Sequence, residues 1–224
     1  MQSSVNDVLC MTQMFCHAIS WFRLNFSFSL QGEKSMSSSS LLSSQSAISH
    51  KDKVAALAPD NFTWHGYSAL ETQWRVERLL SRYVACIDDD ALEHWPEFFV
   101  AEGCRYEIIT RENVERGMPL ALVFCNSQGM LVDRIVSLRE ANIYPQRWYR
   151  HIVSNVLIQA VAEDHLEVHS HYVVLQTRRN GQTSIFSAGK YKDRIVFQNG
   201  ELKFAEKRVV VDTHSIDTLL VSPI

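Results

Sequence analysis

From Ser68 onward, apolar residues recur at the three- and four-residue spacing of a helix with one packed face. Val76, Leu79, Leu80, Tyr83, Val84 and Ile87 make the stripe, and Glu71, Arg75, Glu77, Arg78 and Arg82 fall between them. Ser68 is placed to cap the helix start, and Glu71 three residues later completes a capping box. The triplet Asp88-Asp89-Asp90 then ends the period, since Asp satisfies local backbone donors in a turn. A short second helix carries Leu92, Trp95, Phe98 and Phe99 on one side, and Pro96 is tolerable only in its first turn. Cys104 to Ile109 reads as a strand, and Gly117-Met118-Pro119 as a turn before the apolar run Leu120 to Phe124. Ser127 to Ala141 reads as a third helix, with Met130, Leu131, Ile135 and Leu138 at helical spacing.

After Tyr144-Pro145 the texture changes. His151 to Val161, Leu166 to Arg178, Thr183 to Phe197 and Leu202 to Val211 are rich in β-branched and aromatic residues, as strands are. Asn180-Gly181 and Asn199-Gly200 stand between such runs, the strongest short-range signal of a hairpin. Helices first and then a four-strand meander predict an α+β fold, a curved antiparallel sheet wrapped around N-terminal helices. Val168, Ser170, Tyr172 and Val174 fall on one face of their strand, and His169, His171, Val173 and Leu175 on the other. Strands this apolar on both faces fit a sheet whose second face is covered as well, as at a subunit interface.

The amino-terminal part reads differently. Residues 35–49 are mostly serine, a composition that buries too little apolar surface to fold. The expected organisation is therefore a segment 1–67, disordered or an over-extended reading frame with Met36 nearer the true start, and a folded domain 68–224. Residues 9–30 are patchily apolar, but no basic stretch precedes them and no small-residue cleavage signal follows, so a secretory signal is not expected.

Composition narrows the function classes. A net charge of −3 offers neither a basic stripe for nucleic acid nor a polybasic patch for an anionic membrane. The five cysteines, Cys10, Cys16, Cys86, Cys104 and Cys125, include no C-x-x-C pair and are odd in number. A reduced, cytoplasmic setting fits better than a disulfide framework. No two of the eight glycines stand two apart, so a dinucleotide fingerprint is absent, and neither a P-loop nor G-x-S-x-G occurs.

Nine histidines invite a metal reading. His169 with His171, and Asp212 with His214, form pairs at period two, yet an iron or zinc site needs a third ligand at compatible depth. Solvent-facing or hydrogen-bonded histidines are the plainer expectation. Asp88, beside two further aspartates, joins His151 as the sharpest candidate for acid–base chemistry, because an Asp/His pair in a closed pocket suits an isomerase or dehydratase. The bland reading of the triplet is a helix terminus. From Asp133 to His151, Arg134, Arg139, Arg147 and Arg150 alternate with Tyr144, Trp148 and Tyr149. Aromatic–basic interleaving can bind single-stranded nucleic acid, but it is also what interface cores use, and the acidic chain favours the interface.

The same stretch carries a resemblance. GMLVDRIVSLREANIYPQRWYRHIVSNV, Gly129 to Val156, resembles the ML-x-D-R-x-x-x-L-R…Y…R-H segment of the β (small) subunits of Rieske-type aromatic-ring-hydroxylating dioxygenases. Tyr83 with Asp88 and Asp89, Trp95 with Phe98-Phe99, Cys104 with Tyr106, Asn113 with Gly117, and the closing DTHSIDTLLVSPI extend the likeness over Glu71 to Ile224. The tail is similar to the branch acting on aromatic acids of the terephthalate, anthranilate or salicylate type.

The resemblance implies the cone fold shared with nuclear transport factor 2 and scytalone dehydratase. It implies a structural subunit with no cofactor of its own, partnered in an α3β3 assembly with β–β contacts. The α subunit would carry the Rieske [2Fe–2S] centre and a mononuclear Fe(II), fed from NADH through a reductase, sometimes via a ferredoxin. No cysteine spacing here offers Rieske ligands. Two other classes compete: a free-standing cone-fold isomerase or dehydratase using Asp88 and His151, and a small-aromatic binding module.

Overall fold

The Ser68 hydroxyl accepts the Glu71 N–H at 3.3 Å and starts the first long helix, α1, over Ala69–Asp88. The computed structural model describes residues 57–141, 147–213, 220 and 222–224. Thr72, Val76, Leu79, Leu80, Tyr83 and Ile87 are the buried face of α1, and each fully buried Val, Leu or Ile there stabilises the domain by roughly 1.5–3 kcal/mol. Packing begins ahead of the cap. Strands β1 (Thr63–Trp64) and β2 (Tyr67–Ser68) pair antiparallel, and buried Trp64 donates its indole N–H to the Ala162 carbonyl at 3.0 Å.

The short second helix is a 3-10 helix, Leu92–Phe98, with Pro96 inside it. Proline lacks the N–H an α-helix interior uses, and the tighter turn suits so short a run. Next come β3 (Arg105–Thr110), a short α2 (Arg111–Glu115), β4 (Val123–Cys125) and α3 (Gln128–Ala141). The four long strands follow as β5 (Trp148–Val161), β6 (His165–Thr177), β7 (Thr183–Gln198) and β8 (Glu201–Val211).

The six-stranded sheet has the order β4-β3-β8-β7-β6-β5. β5 to β8 form the antiparallel meander that the sequence pattern predicts. The sheet as a whole is mixed, however, since β3 lies parallel to β8 from Arg105↔Glu206 to Thr110↔Val211. An alternating pattern marks a strand without giving its direction, and a parallel pair needs a long crossover that no local turn signal announces. The two Asn-Gly turns also differ. Asn199 and Gly200 have φ of 54° and 84° between Gln198 and Glu201, the two-residue loop in which both positions need positive φ. At Asn180-Gly181 only Gly181 has positive φ, and five residues separate the strands.

On β6, Leu166, Val168, Ser170, Tyr172, Val174 and Gln176 are buried, and the alternate residues are more exposed. The inner face covers α1. Tyr83, Trp95, Phe99, Tyr106 and Phe204 meet there, mostly edge to face. The Tyr106 hydroxyl accepts the Ile224 N–H at 3.1 Å, and the Tyr83 and Tyr106 hydroxyls reach the Ile224 oxygen at 3.3 and 3.2 Å.

Within this core the Lys207 ammonium lies 3.1 Å from Asp193, both side chains fully buried. Its remaining surroundings are aromatic, with Nζ 3.7 Å from the Tyr191 ring centroid and 4.5 Å from that of Tyr83. Burial pushes the Asp193 carboxyl up to about 6 and the Lys207 ammonium down, each partner opposing the shift in the other. Removing one partner of a buried pair is costlier than replacing both by apolar groups of similar volume. Lys207→Met alone is expected to lower stability by about 3–5 kcal/mol, and Lys207→Met with Asp193→Leu to cost clearly less than that. Denaturant unfolding of the single and double variants checks this, and equal losses would refute it.

Candidate functional site

The acidic triplet is the end of α1. Asp88 is its last residue, Asp89 caps it, and Asp90 takes a positive φ of 57° in the turn that follows. Three basic side chains from later elements gather on it. Asp88 accepts the His151 backbone N–H at 2.8 Å on one oxygen and the His151 Nδ1–H at 2.6 Å on the other. Arg150 donates to the Asp88 carbonyl at 3.1 Å and lies 3.9 Å from the Asp89 carboxylate. Arg139, at the end of α3, makes paired bonds to Asp90 and Glu93 between 2.8 and 3.2 Å. Those bonds, Glu93's first, raise the Arg139 guanidinium above its ordinary pKa, and Arg139 in turn lowers Glu93. The turn thus joins the end of α1 to the end of α3 and the start of β5.

Asp88 and His151 are therefore brought together, with side-chain exposures of 10% and 0%. The carboxylate fixes the proton on Nδ1 and leaves Nε2 buried, without a hydrogen-bond partner among the described residues. An imidazole in that tautomer has the form of a general base. Both carboxylate oxygens are also engaged, so the pair is at the same time a tie between α1 and β5.

The Arg/Tyr/Trp-rich segment is placed as follows. Arg134 donates to the Leu220 carbonyl, and Arg147 to Gln176 at 3.1 Å. Tyr149 packs on Phe186 with centroids 5.3 Å apart and accepts from Gln176 at 3.2 Å. Trp148 is 45% exposed, and Tyr144 lies outside the described residues. The arginines proposed for an interface make intramolecular contacts, while Trp148 faces outward.

Trp148 belongs to a wider apolar surface. β5 is an edge strand, and Ile152 is 54% and Ile185 67% exposed on the outer face. At the opposite edge, beside β4, Leu120, Leu122 and Phe124 are exposed in alternate positions. Exposed strand edges flanked by large apolar side chains mark surfaces that pair with another chain.

His169 and His171 lie on the outer face of β6. Partial burial and then Lys192 lower the His169 pKa, and His171 lies 3.0 Å from the Asn155 amide. His214 of the Asp212 pair is outside the described residues. No group of three potential metal ligands comes together among the described residues, so they fit neither a Rieske cluster nor a two-His-one-carboxylate iron. Cys86, Cys104 and Cys125 are free thiols. Burial, ahead of nearby carboxylates, pushes Cys86 up to about 11, far from a reactive thiolate. Among the described residues no helix is long and apolar enough to cross a membrane.

Two features escaped the sequence pattern. Lys207 and Asp193 occupy inward positions of β8 and β7, and the signal was the parity they share with buried Val209 and with Tyr191 and Ile195. The other is a groove of about 600 Å³ beside the polar face of α1, lined by Trp74, Arg78, Arg82 and Lys203 among others. Its signal was the one-turn spacing of the arginines.

Comparison with known proteins agrees with the fold. Residues 82–218 match the family model described as ring hydroxylating beta subunit. The anthranilate 1,2-dioxygenase small subunit of Burkholderia cepacia is 44% identical over 155 residues, 69% of this chain and 96% of that protein. A terephthalate 1,2-dioxygenase terminal oxygenase β subunit of Comamonas is 37% identical, over 63% of this chain and 92% of its own. A β subunit assigned to an aromatic-ring-hydroxylating dioxygenase of Novosphingobium aromaticivorans superposes with a TM-score of 0.64 at 39% identity, covering 70% of this chain and 99% of that one. A scytalone dehydratase-like protein of the same organism, at 19% identity and a TM-score of 0.51, shares the cone fold alone. The chain belongs to the ring-hydroxylating β-subunit family.

Proposed function

We propose that this chain is the structural β subunit of an oxygenase that hydroxylates an aromatic carboxylic acid with O2 and NADH-derived electrons. The observation that carries the reading is the 44% identity maintained along 96% of an anthranilate dioxygenase small subunit. In this reading a large α subunit holds the Rieske cluster and the mononuclear iron, and a reductase delivers electrons from NADH. The assembly is α3β3, and the reduced thiols Cys86, Cys104 and Cys125 suit a cytoplasmic complex. This chain's part is to present its surfaces: Trp148, Ile152 and Ile185 on the outer face, and Leu120, Leu122 and Phe124 at the other edge. The segment Arg134, Arg139, Tyr144, Arg147, Trp148, Tyr149 and Arg150 supplies interface through Trp148, while its arginines hold the shape behind it.

A second reading rests on one observation, the 2.6 Å contact of Asp88 with His151 and the buried Nε2 beyond it. It makes the domain an isomerase or dehydratase in its own right.

Co-expression with the large subunit encoded beside it tests the first reading. The tagged chain is expected to bring down a brown iron–sulfur partner, and the pair with a reductase to oxidise NADH and hydroxylate an aromatic acid. A chain that emerges alone, colourless and active on some substrate refutes it. The role of Asp88 is tested separately. Asp88→Asn weakens a charge-assisted bond to His151 and is expected to lower stability by about 1–3 kcal/mol. Turnover per assembled complex should stay unchanged. Isomerase or dehydratase turnover by the isolated wild-type chain, lost in folded Asp88→Asn, would favour the second reading.

A further inference from the structure

The groove of about 600 Å³ lies between α1, the 3-10 helix and the β7–β8 turn. Four permanent cations line it, Arg75, Arg78, Arg82 and Lys203, against the carboxylates of Glu97 and Glu201. A positive groove on a chain of net charge −3 is a local feature that composition conceals.

Two of the four cations are committed within the chain. Arg75 pairs with Glu71 at 3.2 Å and stacks 3.8 Å from the Tyr67 ring centroid. Lys203 donates to the Glu97 carbonyl at 2.7 Å and pairs with Glu201 at 3.1 Å. Arg78 and Arg82 remain, both exposed and with no carboxylate at ion-pair distance among the described residues. The Arg78 guanidinium lies 5.5 Å from the ring centroid of Trp74, itself 57% exposed. Arg78 and Arg82 are four apart on α1, which sets their Cβ atoms about 5–6 Å apart on one face. An exposed Trp beside exposed arginines is the composition of a binding hot spot.

We infer that this groove docks an acidic segment of the large subunit, one presenting two carboxylates about a helical turn apart to Arg78 and Arg82. The inference rests on the subunit reading proposed above and names the surface that reading leaves open. Charge complementarity selects the occupant. Glu97 and Glu201 stand within the groove, so a continuous phosphate backbone meets like charge along it. Two discrete carboxylates on a partner meet only local acid, chiefly Glu201 beside Arg82, which Lys203 already pairs at 3.1 Å, and each guanidinium fork matches one partner carboxylate in bidentate geometry. Trp74 then supplies the apolar contact at the rim.

The test uses the co-expressed complex with its large subunit. Arg78→Glu with Arg82→Glu is expected to weaken assembly at least about tenfold at low salt, as reversal of complementary charges does. It should also flatten the salt dependence of the dissociation constant measured for the wild type. Trp74→Ala, which changes no charge, is expected to weaken assembly as well. Arg116→Glu, a charge reversal at another exposed arginine away from the groove, should leave it unchanged. Circular dichroism of each variant confirms that it folds. Wild-type affinity in a folded double variant overturns the inference while leaving the subunit reading intact. No complex with the wild-type chain overturns both. Binding of free benzoate to the isolated chain, lost in the double variant while assembly is untouched, also overturns the docking inference and makes the groove a small-anion site.

Discussion

The domain turns on the pairing of Lys207 with Asp193 in a core that holds no other charge partner for either among the described residues. An ammonium surrounded by Tyr191, Tyr83 and Phe204 has only one carboxylate to answer it. The two residues are direct cross-strand partners on β8 and β7. A one-residue slip would turn one strand's inner set outward and separate the ions, so the pair fixes register where an apolar alternation alone would permit error. On its other side Lys207 is in register with Tyr106 of β3. Tyr106 in turn holds Ile224, and with Tyr83 closes the end of the core. The ion pair thus ties β7 to β8 at the position where β8 also meets β3 and where the Lys207 ammonium faces Tyr83 of α1.

Much of this was legible in the chain, and the parts that were not have physical reasons. The stripe from Val76 to Ile87 and the Ser68 hydroxyl cap are local codes that stand in the structure, while the Glu71 carboxylate pairs with Arg75 instead of closing the capping box. The meander was legible because alternation and Asn-Gly turns act over a few residues. The parallel β3–β8 pair depends on contacts about a hundred residues apart and leaves no local trace. The buried ions were hidden because Lys and Asp in a strand read as solvent-facing, and only their parity with Tyr191 and Val209 betrays them. Asp88 with His151 was nameable from residue type, yet the 2.6 Å contact needed the fold. The arginines from Arg134 to Arg150 show the same limit: their density was legible, but not that the acidic turn at Asp88–Asp90 and nearby carbonyls would engage Arg134, Arg139 and Arg150 within the chain.

A division of labour between faces follows. The inner face is crowded with Tyr83, Trp95, Tyr106, Tyr172, Tyr191 and Phe204, all essentially inaccessible. Packing this dense transmits a change of one methylene to its neighbours, so the inner positions answer to stability. The outer face and the two sheet edges carry the apolar side chains that a lone domain has no reason to expose. A subunit whose chemistry belongs to a partner needs that asymmetry: a rigid interior and a surface unfinished until assembly.

Helix α1 contains the same asymmetry within a single element. One side, Val76 through Ile87, is sealed against the sheet, and the other carries Trp74, Arg78 and Arg82 into open solvent. Because side chains four apart share a face and those two apart do not, the two sets can change independently without disturbing the helix between them. Leu79 is where the two sets come closest, since it is buried yet lines the groove beside its neighbour Arg78. Asp88 is the exception. At the end of the same helix its carboxylate accepts from the buried His151, and its carbonyl from the exposed Arg150. Interior and surface meet at that residue, and there a single change would move both.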